Sequence, residues 1–234
     1  HAAIIVAINT HIPILELIKE EDKDLKFLAN YVYEKVFLNY TIKHWGLKPE
    51  EIDIEVTSRV PIFTGKDDRY CTDKYQAVPL EGYTKLFKNM LSSDNIKLML
   101  NTDFKEVCSL KRDSIYLFNQ KFTGKVFYTG QIDELFDYKF GELPYRSVDM
   151  VFESHNIEWY QEVATVSYPN DYDFTRITEF KHINYANCKN TIILKQYPQM
   201  YRKNENIPYY PIFTDKNQKK YNEYAEYATK YKNL

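Results

Sequence analysis

The sequence predicts an α+β fold in two parts: a helical subdomain over residues 1–94, then a largely antiparallel β-sheet subdomain over 95–234 that ends in a helix. Three observations predict it. Apolar residues recur at helical spacing across 24–44 and again after Gly82. Beyond Asp94 the texture turns to short β-branched or aromatic runs parted by turn residues. Helical patterns come first and strand patterns later, which separates this chain from an alternating βαβ arrangement.

Taken in order, residues 2–20 carry a short helical pattern broken by Pro13. Leu25, Leu28, Val32, Val36 and Tyr40 form one stripe of a longer helix over 24–44, and Gly46 stands where a left-handed residue ends it. Residues 47–80 read as irregular, with Pro49, Pro61, Gly65, the charged run Lys66–Arg69 and Pro79. Tyr83, Leu86, Phe87, Met90 and Leu91 give the second amphipathic helix. Strands are expected over 96–100, 114–118, 125–129, 161–168, 176–184 and 191–197, and a final helix from Asn217 to the end.

Composition narrows the function classes. The net charge of −2 provides no electrostatic drive toward nucleic acid or an anionic membrane, and no apolar run is long enough to span a bilayer. Cys71, Cys108 and Cys188 are odd in number and far apart, so neither a disulfide framework nor a zinc cluster is expected, and a reducing, cytoplasmic setting fits. The five histidines show no metal-binding spacing, so no metal site is expected. Only 6 glycines are present, and no two sit close enough to cradle a phosphate in a GxGxxG or P-loop. Chemistry must then come from charge, from the 22 tyrosines and other aromatics, or from a cofactor held mainly elsewhere.

Seven segments stand out: Tyr40-Thr-Ile-Lys-His-Trp45-Gly46; Arg59-Val-Pro61; Tyr70 with Asp73-Lys-Tyr75-Gln76-Ala-Val-Pro79-Leu-Glu-Gly82-Tyr83-Thr84; Tyr128-Thr129-Gly130-Gln-Ile-Asp133; Leu143-Pro-Tyr145-Arg146-Ser147; Phe174-Thr-Arg176-Ile-Thr-Glu179; and Pro208-Tyr209-Tyr210-Pro211. Tyr and Trp offer flat faces with a hydrogen-bonding tip, and the planar fork of Arg pairs with phosphate or carboxylate. Taken singly, each residue has a blander reading: Tyr40 and Trp45 as helix-end packing, Arg59, Arg146 and Arg176 as surface ion pairs, His44 as a packed or exposed histidine, and Pro208–Pro211 as a loop turn.

The order of the seven overrides that default, because it resembles the UDP-galactopyranose mutase family over roughly residues 24–215. The resemblance implies an isomerase that interconverts UDP-galactose and UDP-galactofuranose with reduced FAD, the flavin carrying the hard step. It places Tyr40, Trp45, Arg59, Tyr70, Arg176, Tyr209 and Tyr210 at the substrate, with Arg59 on a mobile loop near 57–72, and Arg146, Tyr128, Thr129 and Gly130 toward the cofactor. It also implies a cytoplasmic homodimer, with the main flavin-binding segment and a C-terminal segment outside this chain, which would leave the fragment inactive alone. Gly65–Arg69 and Ala77 depart from the family's pattern, in the loop and in a turn. The alternative is a UDP-sugar-binding module, or a degenerate homologue, without catalysis.

Overall fold

A computed structural model describes residues 11–67, 69 and 71–234. The part of the first expected helix over 2–10, and Tyr70, lie outside the described residues. In chain order, β1 (His11–Ile12) leads to α1 (Ile14–Leu17) and α2 (Lys23–Val32), which runs through a π-helical stretch (Tyr33–Leu38) into α3 (Asn39–Trp45). Then come α4 (Ile54–Thr57), β2 (Ile62–Phe63), α5 (Gly82–Met90), α6 (Phe104–Val107), β3 (Cys108–Lys111), β4 (Ser114–Leu117), β5 (Gln120–Phe122) and α7 (Ile132–Leu135). The chain continues with β6 (Tyr145–His155), β7 (Thr165–Ser167), β8 (Arg176–Glu179), α8 (Lys181–Asn184), β9 (Thr191–Met200), β10 (Tyr210–Pro211) and α9 (Asp215–Ala228). This is the mixed α+β class, with helices first and antiparallel sheets after. Two compact units interleave along the chain: residues up to 78 with 144–215, and residues 79–143 with 216–234.

In the first unit, the long helix starts where the Asp22 carboxylate accepts the N–H groups of Asp24 and Leu25, both at 3.0 Å. It ends at Gly46, whose φ of +72° is the left-handed conformation that frees the chain from the helix. The sequence stripe is not its buried face. Leu28 and Val36 are exposed, while Ala29, Phe37, Thr41 and His44 are buried. The π-helical stretch explains part of the shift: its wider turn inserts an extra residue and rotates everything after it.

The helix lies over a five-stranded antiparallel sheet ordered β10-β6-β9-β8-β7, with α3 packed on β9. The backbone of the sheet is the long β6–β9 pair, in register from Arg146 opposite Met200 to His155 opposite Thr191. Ile177 and Ile193 are buried on one face of it and Leu194 on the other. The sequence reading did not anticipate β6, because Tyr145–His155 alternates only weakly and carries Arg146, Asp149 and Glu153. The run 161–168 contributes only β7, and 176–184 divides into β8 and α8.

One end of this sheet is organised by a buried carboxylate. Glu179, fully buried, accepts the N–H groups of Tyr160 and Gln161, each at 3.0 Å, and the hydroxyl of Thr191, while His182 Nε2 lies at 3.4 Å. Burial pushes its carboxyl up, but these hydrogen bonds outweigh burial and hold it below the usual glutamate value.

In the second unit, β3, β4 and β5 form a meander whose two-residue turns place Arg112, Asp113, Phe118 and Asn119 at positive φ, as tight hairpins require. Tyr224 of α9 is fully buried; its hydroxyl donates to Gly141 O at 2.9 Å and accepts from Phe140 N at 3.0 Å. Asp133 is buried and accepts the N–H of Leu143 at 2.7 Å. Helix α5 forms where expected yet buries none of its residues. The runs 96–100 and 125–129 form no strand, since a strand needs a partner edge and neither finds one among the described residues.

Replacing Glu179 by Ala orphans two backbone N–H groups and a buried hydroxyl, so urea unfolding should show a loss of about 3 kcal/mol. Removing the exposed Lys105–Asp137 pair through Lys105→Met should cost under about 1 kcal/mol.

Candidate functional site

The first unit brings six of the expected residues, Tyr40, Trp45, Arg146, Arg176, Tyr209 and Tyr210, to one place, where the C-terminal turn of α3 meets the ends of β6, β8 and β10. Strand pairing does much of this. Tyr210 sits opposite Arg146, the N–H of Tyr209 donates to Arg146 O at 2.8 Å, and Arg176 opens β8 opposite Gln196 of β9. From the helix side, the Tyr40 hydroxyl accepts from Arg176 Nη2 at 2.6 Å.

The aromatic rings form a continuous patch. His44 is its hub: its ring stacks on Tyr40 with centroids 5.6 Å apart, meets Trp45 edge-on at 5.1 Å and leans on Tyr210 at 4.8 Å. Trp45 also contacts Tyr210 at 5.7 Å, and Tyr209 lies across Tyr210 at 4.7 Å. The sequence leaves His44 as either packed or exposed, and the structure buries it. Its spacing from Tyr40, four residues on a helix, was the signal that the two share a face.

Arg146 ties the patch together from below. Its guanidinium is buried, donating through Nε to His44 O at 2.9 Å, through Nη2 to Lys43 O at 3.0 Å, and through Nη1 to Met200 Sδ at 2.8 Å. Those two carbonyls belong to the last turn of α3, which has no further turn to supply N–H partners. A Cβ on Gly46 would come within 3.3 Å of Arg146 Nη1, so glycine serves here for its left-handed φ and for the close approach.

Electrostatics follow from this packing. Burial first, then the charges of Arg176 and Arg146, push the His44 imidazole down to about 4, so it is neutral near pH 7, and its Nδ1 is enclosed without a hydrogen-bond partner. Burial also raises the Tyr210 phenol, so it stays protonated as a hydrogen-bond donor. The patch thus presents flat aromatic faces beside the Arg176 guanidinium, with the Arg146 charge buried beneath.

The remaining candidates lie elsewhere. Arg59 is exposed and lines an open cleft of about 560 Å³ with Val60, Pro61, Phe63 and the Asp67–Arg69 pair, and this lining shares no residue with the Tyr40 patch. Tyr128 and Gly130 belong to the second unit. There Tyr128 packs edge-on to Phe104 at 5.0 Å, and a Cβ on Gly130 would run into the Tyr128 ring. Thr129 is exposed beside them.

Residues 35–234 match the family model described as UDP-galactopyranose mutase. The chain belongs to the UDP-galactopyranose mutase family. Among individual mutases it is 33% identical over 216 residues to a dTDP-fucopyranose mutase of Escherichia coli, covering 92% of this chain and 56% of that one. It is 33% identical to the UDP-galactopyranose mutase of Mycoplasma genitalium, covering 97% and 58%, and 32% identical to a probable UDP-galactopyranose mutase of Klebsiella pneumoniae, covering 82% and 47%. The chain spans about half the length of these mutase relatives.

Members of this mutase family are flavoproteins. Two of the residues expected toward the cofactor are engaged within the chain itself. The Arg146 guanidinium is committed to two main-chain carbonyls and a thioether, and the space beside Gly130 is filled by Tyr128 rather than left open for a phosphate. Among the described residues no cluster of His, Cys, Asp and Glu could hold a metal ion, and no helix is long and apolar enough to cross a membrane.

The His44 imidazole makes stability depend on pH. As pH falls from about 6.5 toward 4, the unfolded chain takes a proton there that the folded chain refuses, so stability is lost on the acid side and is fully present above about 6.5. Urea unfolding should show His44→Gln losing up to ~3 kcal/mol less than the parent over that interval.

Proposed function

We propose that the protein interconverts UDP-galactopyranose and UDP-galactofuranose, and that this chain supplies the nucleotide-sugar side of the site. The observation that carries the reading is the Tyr40–Arg176 hydrogen bond of 2.6 Å within a patch that also holds Trp45 and Tyr210. One side chain for the base and one for the diphosphate are thereby held at a fixed separation by a helix and a strand. Tyr40 offers a ring face to uracil, Arg176 offers charge to the diphosphate, and Trp45 and Tyr209 border the sugar end. Arg59 and Tyr70 join from the 57–72 loop when it closes over the ligand. A cytoplasmic homodimer is the setting this reading implies.

A second reading has a specific observation behind it. Arg146, expected beside the cofactor, spends its guanidinium on α3 and Met200 instead. That favours a UDP-sugar-binding module without catalysis, or with catalysis dependent on parts beyond this chain. Binding with no turnover in the presence of reduced FAD identifies this case.

The test is a titration with UDP-galactose followed by Trp45 fluorescence in a Trp159→Phe background, which removes the other of the 2 tryptophans. Saturable quenching is expected, weakened about 30-fold by Arg176→Ala, as removal of a charged hydrogen-bond partner implies. A flat titration, or Arg176→Ala binding like the parent, contradicts the site. A dTDP-sugar binding tighter than UDP-galactose would move the substrate toward that named for the Escherichia coli relative.

A further inference from the structure

The loop joining β7 to β8 is pinned to α3 at a single ammonium group. Lys43 Nζ lies 2.6 Å from the carbonyl oxygen of Tyr168, 2.8 Å from that of Tyr172 and 3.2 Å from that of Phe174. An ammonium has three N–H donors and no acceptor, so these three carbonyls match its whole donor set. The loop is shaped around that point. Tyr168 N donates to Thr175 O at 2.8 Å, closing it, and Asp171 takes a left-handed φ of 64° that turns the chain back. The rings of Tyr168, Tyr172 and Phe174 pack on one another outside, with centroids 4.9–5.4 Å apart. At the loop's tip Asn170 accepts from Asn39 Nδ2 and donates to Lys35 O, both at 2.8 Å, so the same helix holds it a second time.

What this fixing controls lies immediately downstream. Arg176 is two residues beyond Phe174, the last carbonyl of the set, and begins β8. On the helix, Tyr40 precedes Lys43 by three residues, close to one turn, so both project to the same side. One turn of α3 therefore holds the loop through Lys43 and receives the Arg176 guanidinium through Tyr40. The main chain of Lys43 is itself held from β6 by Arg146 Nη2.

We propose that Lys43 is a positioning residue: by gathering three carbonyls of the β7–β8 loop it sets that hairpin against α3 and so delivers Arg176 to Tyr40. The functional meaning rests on the reading of Tyr40 and Arg176 as nucleotide-sugar contacts; the positioning itself does not. Burial disfavours the charge on Lys43, and Asp173 and Asp171 in the loop partly offset this, so the loop carries its own compensation for the ammonium it binds.

The test is a double-mutant cycle between Tyr40→Phe and Arg176→Ala, read by urea unfolding, in the parent and again in Lys43→Met. In the parent the two changes are expected to be coupled by about threefold or more in the unfolding constant; in Lys43→Met the coupling is expected to fall below about 1.5-fold. A merely structural lysine would lower stability throughout and leave the coupling unchanged, which overturns the proposal. Should Lys43→Met not fold, Lys43→Gln retains part of the donor set and should give intermediate coupling, and parent-like coupling in it is equally contrary. A UDP-galactose titration of the same variants separates this from the function. Where the parent binds, Lys43→Met should weaken binding about tenfold, but less than twofold in Arg176→Ala, and losses that simply multiply overturn the proposal. A parent that does not bind UDP-galactose, with coupling lost in Lys43→Met, contradicts the functional reading and supports the positioning.

Discussion

The first unit depends on a buried guanidinium that closes the end of a helix. The last carbonyls of any α-helix lack intrahelical partners and carry its partial negative charge. Arg146, on strand β6 between β10 and β9, supplies donors to two of them, at Lys43 and His44. That single side chain anchors the helical layer to the sheet and dictates glycine at position 46, where the chain must turn away and leave room for the guanidinium. With α3 fixed in this way, Tyr40, His44 and Trp45 face the strand ends that bear Arg176 and Tyr210.

The same economy recurs at the other end of the sheet. Lys181 is buried, and its ammonium donates to the carbonyls of Glu158 at 2.6 Å and Cys188 while lying over the Trp159 ring at 4.7 Å. Beside it Glu179 collects backbone N–H groups from the neighbouring loop. Loops flanking the sheet are thus held by buried charges that find main-chain partners rather than by apolar cores of their own. Such charges are costly to bury unless every donor is used, which gives these loops well-defined geometry.

Much of this was legible in the sequence, and what was not has physical reasons. The long helix and its stop at Gly46 followed from spacing and from glycine's conformational freedom, yet its buried face did not, because a π-helical turn leaves no mark in apolar periodicity. Strands β4 and β9 were visible as β-branched runs, whereas β6 hid behind its charged residues. The runs 96–100 and 125–129 have strand composition but no partner edge among the described residues. The stripe of Leu86, Phe87 and Met90 on α5 likewise shows amphipathicity without showing what covers it. For the site, residue types and order pointed to Tyr40, Trp45, Arg176, Tyr209 and Tyr210, which the fold brings together. They could not show that Arg146 turns inward to the helix, that Arg59 lines a separate cleft, or that Asp133 serves the main chain of Leu143. Motifs report which side chains are used, and only packing reports toward what they point.

The account's central claim is that α3 and the strand ends form one nucleotide-sugar site with the base on Tyr40. The most direct measurement is saturation-transfer NMR on UDP-galactose with the protein's aromatic protons irradiated, in the parent and in Tyr40→Ala. The account predicts that the uracil protons receive the strongest saturation and lose it in Tyr40→Ala. Uracil protons saturated no more than those of galactose, or equally saturated in both proteins, would contradict it.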